Sequence, residues 1–202
     1  MPSPAPPPIH VDWLYERNED NTARFVLGTQ GSNPLVCVGI NPSTAAPNAL
    51  DPTLRTVARV ASEHGHDSFV MLNVYPQRST DPRGLHTTVE PDLRDANERH
   101  IAALVRGRRL TIWAAWGTNI VTRSYLSPCL RGLLALPELA QCVWVSRGPT
   151  SKAGHPHHPL YVSSDSPLAS FDMQGYLAAM GTTTRRLAKS GDRTQTASGV
   201  AK

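Results

Sequence analysis

The sequence predicts an α/β domain: three layers, α/β/α, around a central, mostly parallel sheet of four or five strands. Two observations carry this. Four apolar runs have strand length, "LVCVGI" (35–40), "SFVMLNV" (68–74), "LTIWAAW" (110–116) and "QCVWVS" (141–146), and their near-continuous hydrophobicity suits strands covered on both faces. Helical patterns lie between them, and strands alternating with helices build parallel sheets through right-handed crossovers.

The helices are read in order. Asp51 caps "PTLRTVARVASEHG", with Pro52 at the tolerated first position and Leu54, Val57, Val60 and Ala61 on one side. "DLRDANERHIAALVRG" sets Leu93, Ala96, Ile101 and Leu104 at helical spacing and stops at Gly107, leaving Asn97 and Glu98 on a solvated face. Residues 118–136 also read as helix, broken or kinked by Pro128. The earlier "ARFVLGTQ" adds an edge strand.

Around this unit, taken as residues 11–180, lie a flexible proline-rich start (1–10) and a polar, basic tail (181–202) read as disordered. The chain has 202 residues, 40% hydrophobic and 18% charged. No run approaches the ~20 apolar residues of a bilayer span. The start lacks the basic and apolar regions of a secretory signal, so a cytoplasmic protein is expected; it is also expected to be a monomer without membrane contact. Cys37, Cys129 and Cys142 are widely spaced and read as reduced core residues, with no CxxC pair to suggest zinc. A net charge of +4 permits a polyanionic partner without requiring one.

Ligands of open parallel sheets bind outside the carboxyl ends of the strands, and here those ends are distinctive. The first stops in Gly39-Ile40-Asn41-Pro42-Ser43-Thr44, the second in Asn73-Val74-Tyr75-Pro76, the third in Trp116-Gly117-Thr118-Asn119; "GHPHHPLY" (154–161) follows the fourth. Asparagines, histidines and small hydroxyls suit a neutral heterocycle or sugar and a phosphate, since an amide offers both donor and acceptor to a base edge. Simpler readings stand beside this one. Asn41 and Asn73 can close turns on their own backbone, Arg78 and Asp81 can form a loop-ordering pair, and Trp113 and Trp116 can be core. His155, His157 and His158 lack the further ligands of a metal site, so no metal or cofactor is expected. Arg106, Arg108 and Arg109 are either a DNA-facing patch or cations at a helix carboxyl end.

The ordered motifs "INPSTA…DPT", "NVYPQRSTDP", "AAWG" and "HPLY" resemble the DUF1643 family over roughly residues 34–162. Through short matches at Gly39–Pro42, Asn73, Trp116-Gly117 and His158–Tyr161, the chain also resembles, remotely, the uracil-DNA glycosylase superfamily, in particular the "GINP" motif of its mismatch-specific thymine/uracil branch. That resemblance implies a DNA glycosylase that cleaves the N-glycosidic bond of uracil or a modified or mismatched pyrimidine, in repair or in defence against modified foreign DNA. Asn41 and His158 would be catalytic: Asn41 holds a water near the sugar carbon, though an amide cannot take its proton, and His158 donates to the departing base. Gly39, Ile40, Pro42, Ser43, Asn73, Tyr75, His155 and Tyr161 would bind substrate, with Asn73 on the base edge and Tyr75 stacked on the flipped base. Thr44 and Lys152 would grip DNA phosphates. The extra His155-Pro156-His157 leaves open which of His155 and His158 enters the site. A nucleoside or nucleotide N-glycosidase or transferase, or a non-catalytic nucleic-acid-binding module of this fold, are the alternatives.

Overall fold

A computed structural model describes residues 11–180; the expectations for 1–10 and 181–202 lie outside them. The chain divides into two compact units, Met1–Ser170 and Phe171–Lys202. In the second, Asp172 accepts the Gly175 amide at 2.9 Å and starts a helical stretch over 173–180.

The first unit is mixed α/β. Its elements are β1 (Trp13–Arg17), β2 (Arg24–Thr29), β3 (Pro34–Gly39), α1 (Pro52–Glu63), β4 (Ser68–Asn73), α2 (Pro91–Val105), β5 (Thr111–Ala114), α3 (Leu126–Leu134), β6 (Val143–Arg147) and β7 (Leu168–Ser170), with short 3-10 turns between some of them. The strands form one seven-stranded sheet in the order β1-β2-β4-β3-β5-β6-β7. This corrects the expected mostly parallel sheet of four or five strands. The four anticipated apolar runs are β3 to β6 and pair in parallel, while β1, β2 and β7 join antiparallel. Only β1 and β2 are joined by a short hairpin-type connection; the β2–β4 and β6–β7 pairings bring together segments apart in the chain, which the alternating pattern does not announce. "ARFVLGTQ" is thus not an edge: β1 flanks it, and Gly28 lets it approach β4 so closely that a Cβ there would sit 2.2 Å from the Phe69 carbonyl oxygen.

Residues alternate across β3, β4 and β5 as a pleated sheet requires. Leu35, Cys37, Phe69, Met71 and Trp113 join Leu54, Val57, Val60 and Ala61 of α1 in one core cluster. The intervening Val36, Val38, Val70, Leu72, Ile112 and Ala114 are also buried, so the other face is covered as well. Helix α1 forms as its capping signal predicts, Asp51 Oδ1 accepting the Leu54 amide at 2.8 Å.

Helix α2 buries Asn97, Ile101, Ala102 and Val105, so Asn97 is not on a solvated face. Its amide donates to the Asn73 carbonyl oxygen at 2.9 Å, tying α2 to the end of β4. Pro128 does not interrupt α3, because it is the third residue of the helix, where an N–H is not needed. The region before it is a 3-10 turn, Gly117–Val121. Cys37 and Cys129 are buried and all three cysteines are free; burial pushes the Cys129 thiol up to about 11. No described helix is long and apolar enough to cross a membrane.

Candidate functional site

The chain moves from β3 through α1 to β4, then crosses back to place β5 on the other side of β3. At such a reversal the loops leaving neighbouring strands diverge and open a crevice at their carboxyl ends. A cleft of about 250 Å³ lies there. It is lined by Gly39, Ile40, Asn41 and Ser43 after β3, by Asp51 at the start of α1, by Ser79 and Thr80 after β4, by Trp116 and Asn119 after β5, by His158 and Tyr161 after β6, and by Arg24 of β2.

Backbone bonds continue the sheet into these loops. Val74 and Tyr75 amides donate to the Gly39 and Ile40 carbonyl oxygens at 2.9 Å each. Asn41 then joins two loops: its Nδ2 donates to the Ser79 carbonyl oxygen at 2.8 Å and to that of Pro42 at 3.1 Å. The return bond runs from the Ser79 amide to the Pro42 carbonyl oxygen at 2.8 Å. With Nδ2 committed, the acceptor oxygen is the end of Asn41 available to a ligand.

Ser43 donates its hydroxyl to Asp51 Oδ2. Asp51 therefore orders the loop with one carboxylate oxygen and caps α1 with the other, yet still lines the cleft. As a carboxylate it retains acceptor capacity on both oxygens.

His158 caps a 3-10 turn, Pro159–Tyr161. Its Nδ1 accepts the Leu160 amide at 3.4 Å, a long contact that favours the neutral tautomer with its proton on Nε2. Burial lowers its pKa, opposed by the Asp51 charge, so the imidazole is a neutral donor at neutral pH. Gly117 packs beside this turn: its φ of +64 is the left-handed region that favours glycine, while a Cβ there would be in ordinary contact with His158 at 3.6 Å. The structure thus brings His158 into the cleft and leaves His155 outside its lining; His155 is buried, closing a tight turn with Ser151 through bonds of 2.9 and 3.1 Å.

Of the residues expected from the sequence, Gly39, Ile40, Asn41, Ser43, His158 and Tyr161 line the cleft, and Pro42, Thr44, Asn73, Tyr75, Lys152 and His155 do not. Two of these absences have a plain cause. Asn73 is fully buried behind Gly39, and the amide orientation that satisfies its surroundings donates to the Asn41 and Leu72 carbonyl oxygens, so it holds the loop from below rather than reading a ligand edge. Tyr75 is also fully buried: its hydroxyl accepts the Glu90 amide at 3.0 Å and its ring packs on Tyr125, which leaves no face for stacking on a base. Thr44 and Lys152 are exposed outside the cleft.

The expected Arg78–Asp81 pair is replaced by two separate devices. Asp81 pairs with Arg83 at 2.8 Å. Arg78 instead donates to the Ser43 carbonyl oxygen at 2.6 Å and to the Tyr15 hydroxyl at 2.8 Å. Nor do the three arginines after α2 face the cleft: Arg108 donates to the Gly31 carbonyl oxygen, before β3 and thus at the opposite end of the sheet.

Asp51 and Arg24 are the charged cleft residues that sequence reasoning missed, and Ser79 and Thr80 after β4 were missed with them. Asp51 carries a capping signal that accounts for it fully without a ligand. Arg24 sits in an apolar strand whose position in the sheet depends on pairings made with distant segments. Among the described residues, no group of three His, Cys, Asp or Glu side chains is gathered to hold a metal.

A protein-family model described as "Protein of unknown function (DUF1643)" matches residues 24–160, a span that contains every cleft segment except Tyr161. No curated protein and no solved structure matches the chain.

Proposed function

For this chain, which belongs to the DUF1643 family, we propose cleavage of the N-glycosidic bond of uracil or a modified or mismatched pyrimidine in DNA. The observation that carries the reading is the pairing, in one cleft, of a neutral imidazole donor with a carboxylate: His158 and Asp51. Breaking the bond from the sugar carbon to the base sends its electron pair to the base and leaves positive charge on the sugar. The Nε2 proton of His158 meets the base carbonyl as negative charge develops there, and preorganised donors of this kind contribute about 10²–10³ in rate. Asp51 faces the opposite charge: it stabilises the sugar cation and accepts a proton from the water that attacks the sugar carbon. The Asn41 amide oxygen orients that water. This division of labour gives the reaction the base that Asn41 cannot be. The ordered motifs shared in likeness with uracil-DNA glycosylases support the same bond as target, as analogy.

A second reading, the same cleavage on a free nucleotide, draws support from the buried Arg24 in the cleft and from Thr44 and Lys152 lying outside it. The test is a panel of labelled oligonucleotides carrying uracil, mismatched thymine or hydroxymethylated pyrimidines, treated with alkali after incubation, beside the matching free nucleotides. Strand breaks at the modified position support the DNA reading. Base release from nucleotides alone supports the second, and release from neither removes both.

A further inference from the structure

Arg24 is 1% exposed yet lines the cleft. Its Nη1 donates to the Ala45 carbonyl oxygen at 2.9 Å, and its Nε has no hydrogen-bond partner. Arg78 approaches the same Ala45 oxygen with its own Nη1 at 3.3 Å, and its Nε is likewise without a partner. Two guanidinium groups therefore converge on one carbonyl, and among the described residues neither belongs to an ion pair. Asp51 is the carboxylate of the cleft and its charge favours the Arg24 cation, but it makes no hydrogen bond or ion pair with either guanidinium; its bonds are with Ser43 and the Leu54 amide. A buried, unpaired charge is costly, and a second like charge beside it adds to the cost. The cost registers on Arg24, whose pKa is brought down to about 10 by burial first and by Arg78 second, against the opposing pull of Asp51 and Tyr15.

We propose that Arg24, with Arg78 behind it, forms an anion subsite of the cleft that takes the phosphate group of a nucleotide. The planar guanidinium fork matches phosphate oxygens in pairs. A phosphate also supplies a directly bonded anion, which neither of the two converging arginines has among the described residues. The rest of the lining, with the amides of Asn41 and Asn119 and the neutral His158, suits the uncharged part of the same ligand. The inference rests on reading the cleft as a nucleotide site and is independent of whether the glycosidic bond is cut. The phosphate comes either from a free nucleotide or from a DNA strand.

Calorimetric titration of the full chain at fixed ionic strength separates these. The ligands are inorganic phosphate, deoxyuridine, deoxyuridine 5′-monophosphate, and a single-stranded oligonucleotide with an internal deoxyuridine and no terminal phosphate. The monophosphate is expected to bind about tenfold or more tightly than deoxyuridine, inorganic phosphate to compete with it, and Arg24→Lys to remove most of that advantage. Preference for the monophosphate over the oligonucleotide identifies the free nucleotide as the source, and equal or tighter binding of the oligonucleotide identifies the strand. Equal affinity for nucleoside and monophosphate, no competition by phosphate, or no binding at all overturns the subsite. Should Arg24→Lys not fold, nitrogen–proton spectra of the unaltered protein decide the matter. Two arginine Nε–H signals shift with phosphate and not with chloride if the subsite exists, and unchanged signals overturn it. Phosphate binding without base release would leave the subsite standing and count against the glycosidase reading alone.

Discussion

Ser43 gives its hydroxyl hydrogen to Asp51, so the residue that starts α1 also fixes the loop leaving β3. One carboxylate thereby links a helix end, a strand end and the cleft between them. The local sequence requirement, an acceptor at a helix start, and the proposed chemical requirement, a base near the sugar, are met by the same atoms.

Asp51 separates these two roles experimentally. Asparagine is as good a helix cap as aspartate, whereas alanine in place of a cap costs about 0.5–2 kcal/mol. Asp51→Asn is therefore expected to keep most of the thermal stability and to lose base release by about a hundredfold or more. Asp51→Ala loses both. Denaturation curves and product assays on the two variants check this, and an active Asp51→Asn would remove Asp51 from the chemistry.

His158 makes the second prediction. His158→Ala should lower turnover about 10²–10³-fold, the usual cost of one preorganised donor, with the fold retained. It also carries a pH signature. Burial lowers the pKa of both His155 and His158 from the ordinary 6.5, with only Asp51 opposing this at His158. The unfolded chain then binds more protons than the folded one as pH drops below that value. Their contribution to stability is full above 6.5 and is lost as pH falls through the lower folded values. Melting temperatures between about pH 7.5 and about pH 5.5 should fall less for a His155→Gln/His158→Gln variant than for the natural chain. An equal fall in both would show that these imidazoles are not held neutral.

Asn41 makes the third. Its Nδ2 bond to Ser79 ties the two loops that wall the cleft and its bond to Pro42 orders its own loop, and each such bond is worth about 0.5–1.5 kcal/mol. Asn41→Ala is expected to destabilise the protein by about 1–3 kcal/mol and to reduce base release through the displaced loop and the lost acceptor. Asn41→Asp keeps the acceptor but abolishes the donors, so it should be destabilised as much, despite bringing a carboxylate. Unfolding by urea measures both, and an unaffected Asn41→Asp would mean that the loops are held by other contacts.

What the sequence reveals, and what it hides, follows from the range of the interactions involved. The apolar runs of β3 to β6 and the cap of α1 were legible because each is set by neighbours within a few residues. So was the convergence of Asn41, Ser43 and His158, since strand ends in a parallel sheet share an edge. What escaped depends on partners far along the chain. The pairing of β2 with β4 brings Arg24 to the cleft, and the bond from α2 to the end of β4 buries Asn97. Asn73 and Tyr75 illustrate the opposite error. They occupy the right strand end, but a polar residue there has two directions open to it, and theirs is inward to backbone groups and to Glu90.

Cleavage of the glycosidic bond is tested most directly by a time course of free-base release by the natural chain in water labelled with oxygen-18, with products identified by mass and Asp51→Asn run in parallel. Free pyrimidine is expected from at least one uracil- or modified-pyrimidine substrate, with the label on the sugar product and little release by the variant. Absence of free base from every substrate, or release undiminished in Asp51→Asn, would contradict it.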